Sequence, residues 1–245
     1  MIRTIQYSLL FVVFILLTAC QGSRTFEPQV VEEVQSAQRY AYRDPVRVSP
    51  EMYGTLLENI TCRILKIEQK PGEQDRWHSH PDAAIYQLSA SELLLYTPDG
   101  DPQIIKSETG DSYFEPATNM HSMKNIGESD YVGILCELKT KLSENAHLDD
   151  VYTAPTDLIS LKVDNDRMHV LELTLQPGDT EQMSATSKKV FYYITDASVN
   201  LVSESGASDR SDRPKDASSY HSPGAIQSIE NLGTETFRAI IFEMR

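Results

Sequence analysis

Residues 110–125 read Gly-Asp-Ser-Tyr-Phe-Glu-Pro-Ala-Thr-Asn-Met-His-Ser-Met-Lys-Asn, and residues 72–80 read Gly-Glu-Gln-Asp-Arg-Trp-His-Ser-His. In each, a glycine opens a turn and imidazole follows at a set distance. Gly72 stands six residues before His78; Gly110 stands six before Pro116, with His121 five further on and Asn125 four beyond that. Residues i and i+2 of a strand face one side, so His78 and His80 present two imidazoles to one cavity. His121, following the turn-forming residues 115–120, brings a third from a separate strand and leaves the opposite side of an ion open. Three of the six histidines in the chain hold these positions.

Outward from these segments, the chain repeats itself. Pro71-Gly72 recurs as Pro177-Gly178, a shift of 106 residues, and the same shift carries Tyr86 onto Tyr192, Asn125-Ile126-Gly127 onto Asn231-Leu232-Gly233, and Glu137 onto Glu243. One offset that fits both ends of a unit predicts two homologous domains, 48–139 and 154–245, joined by a polar linker at 140–153. Short β-rich runs at 63–69, 84–88, 92–97, 103–106 and 131–138 alternate with Pro, Gly, Asn and Asp, and long helical periodicity is absent. The fold class is therefore all-β. Strands this short with free edges are marginal and sticky, so each unit must be a closed or double-sheet structure.

The two histidine segments resemble the paired motifs of the cupin superfamily. The second matches at Gly110, Pro116, His121 and Asn125 and departs at Thr118, where the family usually has glycine. The first matches at Gly72, His78 and His80 but lacks its later glutamate, whose expected place is Ala84 or Ile85. The resemblance implies a bicupin, two tandem double-stranded β-helix jelly-roll domains, with one divalent metal bound by His78, His80 and His121. Imidazole suits Fe, Zn, Ni or Cu, and Mn remains within the set. Three-histidine cupins include iron-dependent dioxygenases, so the first enzymatic expectation is an oxygenase acting on a small anionic or oxygen-rich molecule. The alternative is a non-catalytic ligand-binding or structural cupin module, because one jelly roll hosts both.

Three neutral imidazoles leave the charge of the ion uncompensated, so an anionic or bidentate oxygen ligand is expected at its open positions. Gln87 and Glu115 are the expected supporting groups behind the ligands, Met123 a wall of the pocket and Trp77 a cover at its mouth. The shift of 106 places Ser184, Thr186 and Gln227 at the ligand positions of the second repeat, which is expected to be metal-free and to pack the first. His169 and His221 fall opposite Arg63 and Glu115 and are read as surface residues. Cys62 and Cys136 fall opposite Met168 and Phe242, large apolar residues, so both are expected to be buried free thiols.

Residues 1–19 are expected to be an export signal. Arg3 supplies a positive charge, residues 9–17 are an unbroken apolar run shorter than a membrane-spanning helix, and Leu17-Thr18-Ala19-Cys20 resembles a bacterial lipoprotein box. A signal peptide over 1–19, acylation of Cys20 and a tether over 20–47, with a short amphipathic helix near 30–42, are the expectation. Gln21 in place of aspartate implies an outer-membrane address facing the periplasm. The formal charge of −14, without a basic stripe, excludes a nucleic-acid partner. The partners expected are a small molecule, the membrane through the lipid anchor, and a second copy through sheet edges.

Overall fold

The structure, a computed structural model, describes residues 42–140 and 156–244. The expected signal peptide, Cys20, most of the tether and the linker beyond residue 140 lie outside the described residues. Among the described residues no helix is long and apolar enough to cross a membrane.

One helical turn, α1 (Pro45–Val48), leads into β1 (Tyr53–Glu58), β2 (Cys62–Gln69), β3 (His78–His80), β4 (Ala83–Gln87), β5 (Ser91–Tyr96), β6 (Gln103–Ser107), β7 (Ser112–Glu115), β8 (Thr118–Asn125) and β9 (Tyr131–Leu138). Asp44 caps α1 by accepting from the Val46 amide, and Pro45 starts it with a ready-made φ. The second half contributes β10 (Ile159–Asp164), β11 (Met168–Leu175), β12 (Thr180–Gln182), β13 (Lys188–Tyr193), β14 (Ala197–Val202), β15 (Ser208–Arg213), β16 (Ser218–His221), β17 (Ser228–Asn231) and β18 (Phe237–Met244). Each half folds as two sheets. A five-stranded sheet in the order β1-β2-β9-β4-β7 faces a four-stranded sheet β3-β8-β5-β6, and β10-β11-β18-β13-β16 faces β12-β17-β14-β15. This is the jelly roll, and the expected strands lie within a residue of those observed.

The repeat reaches down to irregularities. The register slips between Thr55 and Leu57 in β1 and again between Leu161 and Val163 in β10, at equivalent positions. Gly72 and Gly178 take φ of +83° and +85°, a conformation that costs any other L-residue, and each amide donates to the carbonyl of a motif asparagine, Asn125 or Asn231. Each asparagine side chain then donates to two carbonyls and accepts from the glycine two residues on. The motif asparagine is a turn clamp.

The large sheets are buried on both faces, which explains why β2, β4, β9 and β18 lack a polar side. One parity of residues fills the barrel of its own half: Leu65, Ile67, Ala83, Ile85, Tyr131 and Leu135 in the first. The other parity meets the opposite half, where Cys62, Ile64, Tyr86, Ile134 and Cys136 pack with Met168, Val170, Tyr192, Ile240 and Phe242 in one shared core. Cys62 and Cys136 are free, buried thiols within it. At the edges β1 meets β16 and β7 meets β10, related by the internal repeat. Tyr86 donates across the junction to Glu172, while Tyr192, its repeat partner, donates to Asp216 of its own half, which Lys66 approaches from the other.

Candidate metal centre

β3 and β8 pair antiparallel with His78 directly opposite His121, and β3 carries His80 two residues along on the same face. Strand pairing alone therefore brings the three imidazoles together. Their ring centroids lie 4.3 Å (His78–His121), 4.8 Å (His78–His80) and 5.3 Å (His80–His121) apart, and all three are buried. One nitrogen from each lies within 4.8 Å of the others.

Hydrogen bonding sets the tautomers. The Nδ1 of His78 lies 2.7 Å from the carbonyl oxygen of Arg76, which can only accept, so Nδ1 carries the proton and Nε2 is a bare lone pair. The Nδ1 of His80 donates to Glu137 Oε1 at 2.7 Å, which in the neutral ring leaves its Nε2 bare as well. These two bare nitrogens face each other at 3.0 Å. Protonation of His78 does not relieve the contact at neutral pH, because burial, followed by the neighbouring His121 and His80, pushes that ring down to about 3. A cation does: two nitrogens bound to one ion at about 2.0–2.1 Å sit roughly 3.0–3.4 Å apart. The donor set fits a divalent metal.

The groups behind the ligands differ from those expected. Glu137 on β9 holds His80 and also accepts from Arg63 Nε at 2.6 Å, while Arg63 reaches Asp44 at 3.0 Å. Burial acts most strongly on Glu137 and acts upward, yet the bonds from His80 and Arg63 keep its carboxyl below the ordinary range. Tyr53 on β1 donates to Asp75 at 2.8 Å and places its oxygen 3.2 Å from His78 Nε2. Burial raises Asp75 to about 6. None of these four was singled out from sequence as a site residue. The retention of Glu137 as Glu243 was a signal for one; Tyr53 and Arg63 stand in stretches without motif character, and Asp75 lies within the first motif segment but not at one of its matched positions.

Gln87 lies inside the barrel but donates to Tyr113 rather than to a histidine. Glu115 stands half-buried on β7, its carboxyl raised by burial with His80 as its opposing ionisable neighbour. Met123 packs partly buried against the barrel core, and Trp77, beside His78, is 36% exposed. Residues 42–47, given to the tether by sequence, pack here: Arg43 and Ser79 exchange two hydrogen bonds at 3.0 Å.

In the second half, Ser184 and Thr186 hydrogen-bond to each other at 3.1 Å, and Gln227 is exposed. The stretch equivalent to β3 is not a strand, and β17 begins only at Ser228, so the pairing that aligns the histidines is missing. His169 and His221 are not surface residues. His169 is buried between Asp164 and Glu243, and His221, half-buried, shares a 2.8 Å hydrogen bond with Ser219 and is pushed down to about 4 by burial and by Arg213 and Lys189. Both side chains point inward because their strands, β11 and β16, belong to a sheet covered on both faces.

Two jelly rolls joined through their large sheets make a bicupin fold, and in one of them an inward trio of histidines could hold a metal ion. Solved structures agree on the fold. The chain is similar to the oxalate decarboxylase of Lactobacillus farciminis solved as a formate complex (11% identity, 79% of this chain and 84% of that one, TM-score 0.59). It is similar to a Bacillus subtilis oxalate decarboxylase studied for its Mn(II) centres (14% identity, 78% and 75%, TM-score 0.55). It is also similar to AerE from Microcystis aeruginosa (14% identity, 79% and 97%, TM-score 0.54). No family model matches the chain, and no curated protein matches it.

Proposed function

We propose that the protein is an envelope-anchored bicupin that binds one divalent metal through His78, His80 and His121 and acts there, as an oxygenase, on a small oxygen-rich molecule. The observation that carries this reading is the convergence of three buried imidazoles, one nitrogen from each within 4.8 Å of the others, with the Nε2 atoms of His78 and His80 3.0 Å apart and each ring's Nδ1 engaged by an acceptor. The Mn(II) centres of a structural neighbour are in keeping with a divalent ion. A metal bound there supplies a Lewis acid with open positions for oxygen ligands.

The chain's own residues supply the rest. Glu137 and Arg63 fix the ring of His80, and Arg76 fixes His78 through its carbonyl, so the nitrogens are pre-aimed. The burial of all three histidines inside the barrel limits water at the site. Glu115, its carboxyl raised by burial, is the group placed to exchange a proton with a molecule in the barrel. Anchoring through Cys20 would hold this barrel in the periplasm, on the outer membrane.

Metal analysis of the purified protein beside His121→Ala tests the site: near one equivalent is expected in the wild type and a small fraction of that in the variant, and equal, negligible metal in both removes the reading. Oxygen uptake with a panel of small diols and hydroxy acids tests the reaction class; a metal-loaded protein that consumes none is a binding module instead. Intact mass of the mature N-terminus tests the anchor, which Cys20→Ser should abolish.

A further inference from the structure

The histidine face has a neighbour of another chemistry. Tyr53 is 2% exposed, so its hydroxyl is not there for solvent, and its oxygen lies 3.2 Å from His78 Nε2, nearly the same distance as His80 Nε2 on the other side at 3.0 Å. The Tyr53 proton is directed at Asp75 Oδ2, 2.8 Å away. His78 Nε2 has no proton to offer in return. The Tyr53–His78 contact is therefore lone pair against lone pair, the same unfavourable arrangement as between the two imidazoles, and one shared cation resolves both. Asp75 is held in place for this: its Oδ1 accepts from the Met123 amide at 2.7 Å and its own carbonyl accepts from Ser122, both from the strand that carries His121.

The internal repeat supplies an independent comparison. Where the second half replaces the histidines by Ser184, Thr186 and Gln227, it also replaces Tyr53 by Ile159, which lies in the apolar core of that barrel. Asp75 becomes Glu181, which accepts from Thr156 instead. Scaffold positions behave otherwise: Tyr86 and Asn125 are retained as Tyr192 and Asn231. Tyr53 thus changes with the ligand set and not with the scaffold.

From this geometry we infer that the phenol oxygen of Tyr53 is a fourth protein ligand of the metal, with Asp75 as the acceptor of its proton. On binding, the Tyr53 O–H bond breaks, the proton passes to Asp75 Oδ2, and the oxygen–metal bond forms without any change in oxidation state. The anionic oxygen supplies protein charge that Ala84 and Ile85 do not. The inference rests on the metal reading above, and its test separates the two.

Copper(II) alone is the probe, added at one equivalent to the purified full-length chain after removal of bound metal. The expected result is one tightly bound copper with a visible phenolate-to-copper charge-transfer band. Tyr53→Phe should keep copper bound, with the order of 10–100-fold weaker affinity, and lose the band; Tyr113→Phe and Tyr131→Phe should keep it. Resonance Raman on the wild type, excited in the band, reads phenolate modes without any substitution, should Tyr53→Phe fold poorly. Copper bound without the band, or a band that survives Tyr53→Phe, removes Tyr53 and leaves the histidine site standing. A wild type that binds no more copper than His121→Ala removes the site and the inference together.

Discussion

Glu137 accepts from His80 through one oxygen and from Arg63 through the other, so it orients a ligand and neutralises a buried guanidinium at the same time. An amide in its place keeps the shape but turns a donor toward one of two donors. Glu137→Gln should lower metal affinity on the order of 10–100-fold, read by competition with a chelator, with the fold intact by circular dichroism. An unchanged affinity would mean that His80 is positioned by its strand alone. The equivalent Glu243 does a different task. Bonds from His169 and Ser187 and the charge of Lys189 hold it at about 2, against burial, the largest influence, which acts upward. Its folded pKa lies below its ordinary value of 4.5, so the stabilisation is complete above about 4.5 and is lost as pH falls toward about 2. Urea unfolding across that window should show the wild type losing stability faster than Glu243→Gln; parallel curves would show that the pair contributes nothing.

Within the elements, the turns carry more specification than the strands. The clamp formed by Asn231 makes three hydrogen bonds, to Leu175, Glu235 and Gly233, and removing a partner leaves buried backbone groups unpaired. Asn231→Ala should cost about 2–3 kcal/mol, at about 1 kcal/mol for each hydrogen bond. Gly178→Ala isolates the conformational cost, since nothing lies within 4 Å of an added Cβ and only the positive φ opposes it. That cost is about 1–2 kcal/mol. Asparagine at 178 should recover part of it; a loss equal to that of alanine would point to a clash. β3 shows the reverse dependence. Three residues, His-Ser-His, have no strand period to speak of, and they are a strand because Ser79 is bonded to Arg43 on one side and His78 is paired with His121 on the other.

At the scale of the whole molecule, the two halves share a core, and the central strands of neither large sheet have a solvent face. Phe242 lies at 0% exposure among residues of both halves. Phe242→Ala should cost about 3–5 kcal/mol, and calorimetry should show one unfolding transition for wild type and variant, because exposing either large sheet exposes the other. Two separated transitions would contradict a shared core. The second half is thereby more than a linker partner: it covers the sheet from which Glu137 and Arg63 support the histidines.

The architecture was legible because repetition and turn chemistry are local. Pro-Gly at 71 and 177, the asparagine clamps and the alternating apolar runs each report on a few neighbouring residues, and a single offset of 106 joins them into two barrels. The histidine trio was legible for the same reason, with ligands placed by strand parity and by a fixed distance from a glycine turn. Only the tertiary structure decided what stands behind and beside that trio. Tyr53, Asp75, Arg63 and Glu137 reach the histidines from β1, β2, β9 and the loop before β3, through registers set by sheet pairing across as many as 74 residues of chain. It also turned His169 and His221 inward, because whether a strand has a wet face depends on what the rest of the molecule lays over it.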